Sequence, residues 1–292
     1  MSYLDQVKLT PLMALSSGVP EIVIGLIDGP VMTDHPDLGD GGFRELRAKD
    51  ASACAQNTSL ACQHGTFVAG ILSAKRNSVA PAICPQCSLL IRPIFAAATS
   101  PHSELPSATP EELAEAILES ISAGARILNI SAAIAPPSSK SERSLEEALN
   151  LAAMRGVMVV TAAGNQGLLG GTAITRHPWV IPVVAYNARG MPMGESNMGG
   201  SIGKRGLGAP GQRITSLGTG GKPLTLGGTS AAAPFVTGAI ALLWSIFSQA
   251  TATQIKLSVV QSFSPRRNSV MPPLLDAWRA YKNLLAIHGG EN

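Results

Sequence analysis

The chain has 292 residues, 45% of them apolar and only 14% charged, with 30 glycines and 21 prolines. This excludes a disordered chain and favours tightly turned α/β packing over a sandwich. A net charge of +3 without any Lys/Arg block excludes nucleic-acid binding driven by counterion release, and residues 1–18, with acidic Asp5, lack the pattern of a secretory signal.

Residues 21–27 (EIVIGLI) are apolar on both faces, as a central parallel strand is when helices cover both sides of its sheet. The chain then reads as a helix over 66–74, a strand over 88–95 (SLLIRPIF), a helix over 110–123, a strand over 126–130 (RILNI), a helix over 144–155, and strands over 157–161 (VMVVT) and 180–185 (VIPVVA). Helix 110–123 carries its own punctuation: Thr109 caps it, Pro110 takes the first position, Glu111 and Glu112 sit at the positive end, and Gly124 closes it. The apolar run 231–247 is interrupted by Pro234 and Thr237, whereas a membrane span needs about 20 unbroken apolar residues, so it reads as a buried helix. The alternation predicts right-handed crossovers and one mostly parallel sheet with helices on both faces. There is no internal repeat or low-complexity linker, and the Pro/Ser-rich stretches 99–110 and 136–141 read as surface loops. The expectation is a single domain over 1–292, with 1–20 an N-terminal extension and 265–292 a C-terminal tail packing on it.

The ligand site of such a sheet lies at the carboxyl ends of its strands. There the first strand ends in Asp28, His64 and Gly65 precede the helix expected from Thr66, and 227–230 (GGTS) opens the long buried helix with Ser230. A serine hydroxyl needs an imidazole to take its proton, and the imidazole needs an anion on its other nitrogen, so these three are the parts of a nucleophilic triad. Ser230 at a helix start gains a backbone N–H aimed at developing negative charge, and Asn165, after strand VMVVT in 162–165 (AAGN), supplies an amide for a second oxyanion donor.

Taken together, IGLIDGPV with HPDL after it, HGTFVAGILSA, LNIS, AAGNQG and GGTSAAAPFVTGAIALL, spread over about residues 21–244, resemble the subtilisin-like serine proteases. The resemblance implies a subtilisin-like α/β fold, with Asp28 as orienting acid, His64 as general base, Ser230 as nucleophile and Asn165 as oxyanion donor. It implies that Ser131, Ala132 and Ala133, with Ala163 and Gly164, bind substrate. The secondary blocks at 87–95 (CSLLIRPIF) and 190–199 (GMPMGESNMG) resemble the branch that matures cyanobactin precursor peptides. The chain departs from the family at Gly29-Pro30, where Ser-Gly or Thr-Gly is usual, and at Ser131-Ala132-Ala133, where the pocket wall usually reads Ser-x-Gly.

His35, His102, His177 and His288 read as solvated loop or tail residues, and without a His-Glu-x-x-His spacing there is no metalloprotease pattern. Cys54, Cys62, Cys84 and Cys87 leave three pairings open, among them 54 with 62 and 84 with 87, beside free thiols and a reactive Cys62. The loop that binds calcium in many subtilisin-like proteins here holds Lys75, Arg76 and Asn77, so no metal is assigned, and no cofactor is expected. The expected activity is peptide-bond hydrolysis, with a ribosomally made precursor peptide as partner and neither nucleic acid nor a membrane. The alternatives are a general intracellular protease and a silent peptide-binding relative. Because the first block begins about twenty residues from Met1, a folding propeptide is not expected, and the chain is expected in the cytoplasm.

Overall fold

The computed structural model describes residues 2–39, 42–46, 54, 59–95, 108–131, 142–260 and 268–289. In chain order these form α1 (Tyr3–Gln6), α2 (Leu9–Leu15), β1 (Val23–Asp28), β2 (Phe43–Glu45), α3 (Leu60–Ser73), β3 (Ser88–Pro93), α4 (Pro110–Ser122), β4 (Ile127–Ile130) and α5 (Arg143–Met154). There follow β5 (Met158–Ala162), α6 (Ala173–Arg176), β6 (Ile181–Tyr186), α7 (Gly200–Arg205), β7 (Leu207–Pro210), the hairpin β8 (Ile214–Ser216) and β9 (Leu224–Leu226), α8 (Thr229–Ile246), α9 (Ala252–Val260) and α10 (Ala277–His288).

The main sheet has seven parallel strands in the order β2-β3-β1-β4-β5-β6-β7. After β1 the chain runs to the edge at β2, comes back through β3 and then extends the other side with β4 to β7, so the crossover direction reverses at β1, the place where such sheets put their ligand crevice. Strand side chains alternate between two cores. Ile24, Leu26, Met158 and Val160 pack on the side of α3 and α8, while Ile27, Leu128 and Val159 pack under α4 and α5. Burial on both faces is why these strands read as continuous apolar runs rather than alternating ones.

Helix α4 has the expected punctuation, completed by a capping box in which Thr109 and Glu112 exchange side-chain and backbone bonds. Helix α8 lies inside the fold, its most apolar stretch 83% buried. Thr237 is tolerated there because its hydroxyl donates to Asn129 Oδ1 on β4 at 2.8 Å. Pro234 has no N–H to give the Ser230 carbonyl one turn back, which loosens the helix ladder just after Ser230.

The histidine helix differs from its expected start. It begins at Leu60, capped by Ser59, whose hydroxyl accepts from the Cys62 N–H, so His64 and Gly65 lie inside it. Gly65 marks a packing contact rather than a helix start. The elements that periodicity does not reveal are short or broken: β2 has three residues, and β7 contains Gly208, where a Cβ would lie 2.4 Å from the Tyr186 ring.

Both ends of the described chain join the main core, through Leu9 and Leu12 of α2 and Ala280 and Leu284 of α10. Arg76, after α3, ties the first of these down. Its guanidinium donates to the carbonyls of Met13, Ser16 and Ile83. The loop after the histidine helix thus supplies a side-chain cation on which carbonyl oxygens of α2, of its C-cap Ser16 and of Ile83 converge. Replacing Arg76 with Met should cost about 1–2 kcal/mol, since charge-assisted bonds are lost at a partly exposed site. The check is the urea unfolding midpoint with and without EDTA: the expected drop appears in Arg76→Met, and EDTA moves neither protein.

Candidate active site

Asp28 is the last residue of β1 and fully buried, and one glycine contact determines what can reach it. A Cβ on Gly29 would lie 2.0 Å from the Ala61 carbonyl oxygen, and one on Gly65 would lie 2.4 Å from the carbonyl oxygens of Gly29 and Pro30. Helix α3 therefore rests directly on the backbone that leaves β1, an approach open only to glycine on both sides. This accounts for Gly29 at a position where the family resemblance leads one to expect a hydroxyl residue. It also carries His64, in the second turn of α3, to the carboxylate.

His64 Nδ1 lies 2.7 Å from Asp28 Oδ1, which also accepts the Gly29 N–H at 2.6 Å, and His64 Nε2 lies 3.0 Å from Ser230 Oγ. The His64 side chain is 10% exposed. With Nδ1–H donated to the carboxylate, Nε2 is left as the acceptor facing the serine hydroxyl. Burial works against protonating His64, but the Asp28 charge and its hydrogen bond outweigh burial and hold the pKa above the ordinary 6.5. A base must be neutral to accept a proton, and His64 is protonated below its pKa. The acid limb of kcat/KM should therefore lie above pH 6.5. A pH profile on a peptide substrate checks this.

Ser230 is the second residue of α8, where the first-turn N–H groups have no intrahelical acceptor. Opposite it stands Asn165, beyond the end of β5. Its Oδ1 accepts the Thr229 N–H at 2.9 Å and the Thr229 hydroxyl at 3.0 Å, and that hydroxyl in turn accepts the Gly164 N–H at 3.2 Å. With the oxygen end occupied by two donors, Nδ2 is the end left for an incoming oxyanion. A Cβ on Gly228, whose φ is +103°, would lie 3.0 Å from both Nδ2 and Oδ1 of Asn165, so glycine is needed where the nucleophile helix passes the amide.

Three of the five residues expected to bind substrate are described. Ser131, after β4, is 6% exposed, and its hydroxyl accepts from Asn129 Nδ2 at 2.9 Å. Ala163 is 3% exposed, and Gly164 is buried beside it. Ala132 and Ala133 lie outside the described residues, as does most of the 96–109 loop.

The other histidines need correction. His35 and His177 are 6% and 8% exposed rather than solvated. Each Nδ1 accepts a backbone N–H two residues on, from Asp37 and Trp179 respectively, and such local turns satisfy one ring nitrogen of a buried imidazole; His177 Nε2 lies 3.2 Å from Asn150 Oδ1. His288 is half-buried near the Phe247 ring, and His102 lies outside the described residues. Cys54 is disulfide-bonded to Cys62, and Cys84 and Cys87 are free and buried. The bond removes Cys62 as a reactive thiol and ties Cys54 to the histidine helix. Among the described residues no cluster of three or more His, Cys, Asp or Glu side chains is arranged to hold a metal. Two residues that the sequence reading missed are Thr229, inside the GGTS block, and Asn197, inside GMPMGESNMG.

An aspartate, a histidine and a serine linked at the carboxyl edge of a parallel sheet, beside an amide nitrogen that has no partner among the described residues, define the site of a serine hydrolase. The chain belongs to the Subtilase family, whose model matches residues 20–276. It is 30% identical over 232 residues to the thermostable alkaline protease of Halalkalibacterium halodurans, a match that covers 79% of this chain and 59% of that relative, so the chain spans well under two thirds of its length. Among solved structures, a serine-to-alanine mutant of the protease domain of PatA is 30% identical, with a TM-score of 0.84 over 93% of this chain and 97% of that one. The prenylagaramide maturation protease PagA is 28% identical, with a TM-score of 0.82 over 94% and 98%.

Proposed function

We propose that this chain is a serine endopeptidase that matures a ribosomally made precursor peptide. The observation that carries the activity is His64 bonded on one side to Asp28 and on the other to Ser230. Ser230 Oγ attacks the scissile carbonyl while its proton passes to His64 Nε2. Asp28 stabilises the imidazolium through Nδ1–H. The oxyanion is held by Asn165 Nδ2 and the Ser230 backbone N–H. His64 then gives the proton to the leaving amine, and water, activated by the same imidazole, hydrolyses the acyl-enzyme.

Precursor maturation as the role is supported by the likeness to PatA and PagA, the second of which is a maturation protease by name. In this reading Ser131, Ala132, Ala133, Ala163 and Gly164 bind substrate. The same reading takes 1–292 as one peptidase domain and places it in the cytoplasm. Discrimination of about 10³-fold against generic substrates needs only about 4 kcal/mol of differential transition-state binding, which several subsites supply together. The expected result is negligible hydrolysis of casein beside efficient cleavage at one or a few sites in a precursor peptide, read by mass spectrometry. Rapid digestion of casein would make the chain a general protease instead.

A further inference from the structure

The turn that presents Asn165 does not hold itself together. Gly164 has φ +101°, and Asn165, Gln166, Gly167 and Leu168 are all exposed. Beneath them lies one buried amide. Asn197, 2% exposed, accepts the N–H of Gln166 at 3.1 Å and of Leu168 at 3.0 Å through Oδ1, and donates from Nδ2 to Gln166 Oε1 at 2.7 Å. Its backbone N–H bonds the Gly164 carbonyl at 2.9 Å, and Gly167 N–H bonds the Glu195 carbonyl at 2.8 Å. A Cβ on Gly164 would lie 2.4 Å from Asn197 Nδ2, so the glycine turns the chain tightly over this amide.

We propose that Asn197 is a positioning residue for the oxyanion donor. Its side chain closes the 164–168 turn from inside, so that the Asn165 amide is delivered to Thr229 with Nδ2 facing the nucleophile. This rests on the reading of Asn165 as oxyanion donor. The role calls for an amide. One end must accept two N–H groups that diverge from the turn, the other must donate, and at this burial neither end can turn to water instead. Removing the side chain leaves the backbone bonds in place, among them Met198 N–H to the Leu168 carbonyl at 3.0 Å. The segment therefore stays docked while Gln166 and Leu168 lose their acceptor and the turn loosens.

The test is a double-mutant cycle of Asn165→Ala and Asn197→Ala, with kcat and KM measured on the peptide that wild-type enzyme cleaves fastest from a library. Asn197→Ala should lower kcat about 10-fold with KM changed less than about 2-fold, and should cost less than about 2-fold more once Asn165 is already Ala, because coupled residues are non-additive. The same loss in both backgrounds, or no loss in kcat, would overturn the proposal and leave Asn197 as scaffold alone. If Asn165→Ala itself leaves kcat unchanged, the oxyanion reading falls and takes the proposal with it. Should Asn197→Ala not fold, Asn197→Ser, which keeps a hydroxyl acceptor, enters the same cycle and must show the same coupling.

Discussion

Ser230→Ala should keep the wild-type unfolding midpoint and lose peptide hydrolysis by about 10⁴- to 10⁶-fold, the upper figure being the loss that subtilisin itself shows. The two halves of this expectation come from different parts of the site. The Ser230 hydroxyl meets His64 Nε2 at 3.0 Å, and among the described residues it has no other hydrogen-bond partner, so its removal breaks one bond at a half-exposed position. The pair below it, His64 with Asp28, and the contacts of Thr229 with Asn165 are untouched. The bond-forming atom, however, is gone. Labelling by a fluorophosphonate probe should vanish with hydrolysis, because the probe needs the same activated oxygen. Labelling that persists in Ser230→Ala would place the nucleophile elsewhere. Absence of labelling in the wild type would favour the silent peptide-binding relative.

The sheet and much of the site were legible because each is announced by local chemistry. Strands buried on both faces read as apolar runs, and Asp28 and Asn165 follow such runs directly. Ser230 stands out through the glycines before it and the apolar helix after it. His64 was legible as a residue but not as a place. Gly65 looks like a helix boundary in one dimension, and only the contact with Gly29 and Pro30 shows that it is the point where α3 meets β1. Asn197 was hidden for a different reason. The block 190–199 that holds it stands out as a resemblance, but Asn197 lies about thirty residues along the chain from the turn it supports, so its task shows only when the two segments are seen side by side. Thr229 was overlooked for the opposite reason, being next to a residue with a more obvious task.

Asn165→Ala should lower kcat by about 10²- to 10³-fold with little change in KM, a magnitude taken over from the same substitution class in subtilisin. The size of the effect depends on preorganisation. Two donors from Thr229 fix Oδ1, and Gly228 puts no Cβ against the amide, so Nδ2 waits in place and little energy is spent orienting it during reaction. A ground-state carbonyl has weaker demand for that donor than the oxyanion does, which puts the loss in kcat rather than KM. The residue also has a bond to lose that is not catalytic, since Ala at 165 leaves the Thr229 hydroxyl and N–H without their acceptor. Thr229→Ser separates the two contributions: it keeps the hydroxyl that donates to Asn165 and should retain kcat within a few-fold, whereas Thr229→Val keeps the shape, removes that donor and should lower kcat about 10-fold with KM unchanged. If Asn165→Ala instead raises KM and leaves kcat alone, Asn165 binds substrate, and the oxyanion is held by the first turn of α8 without it.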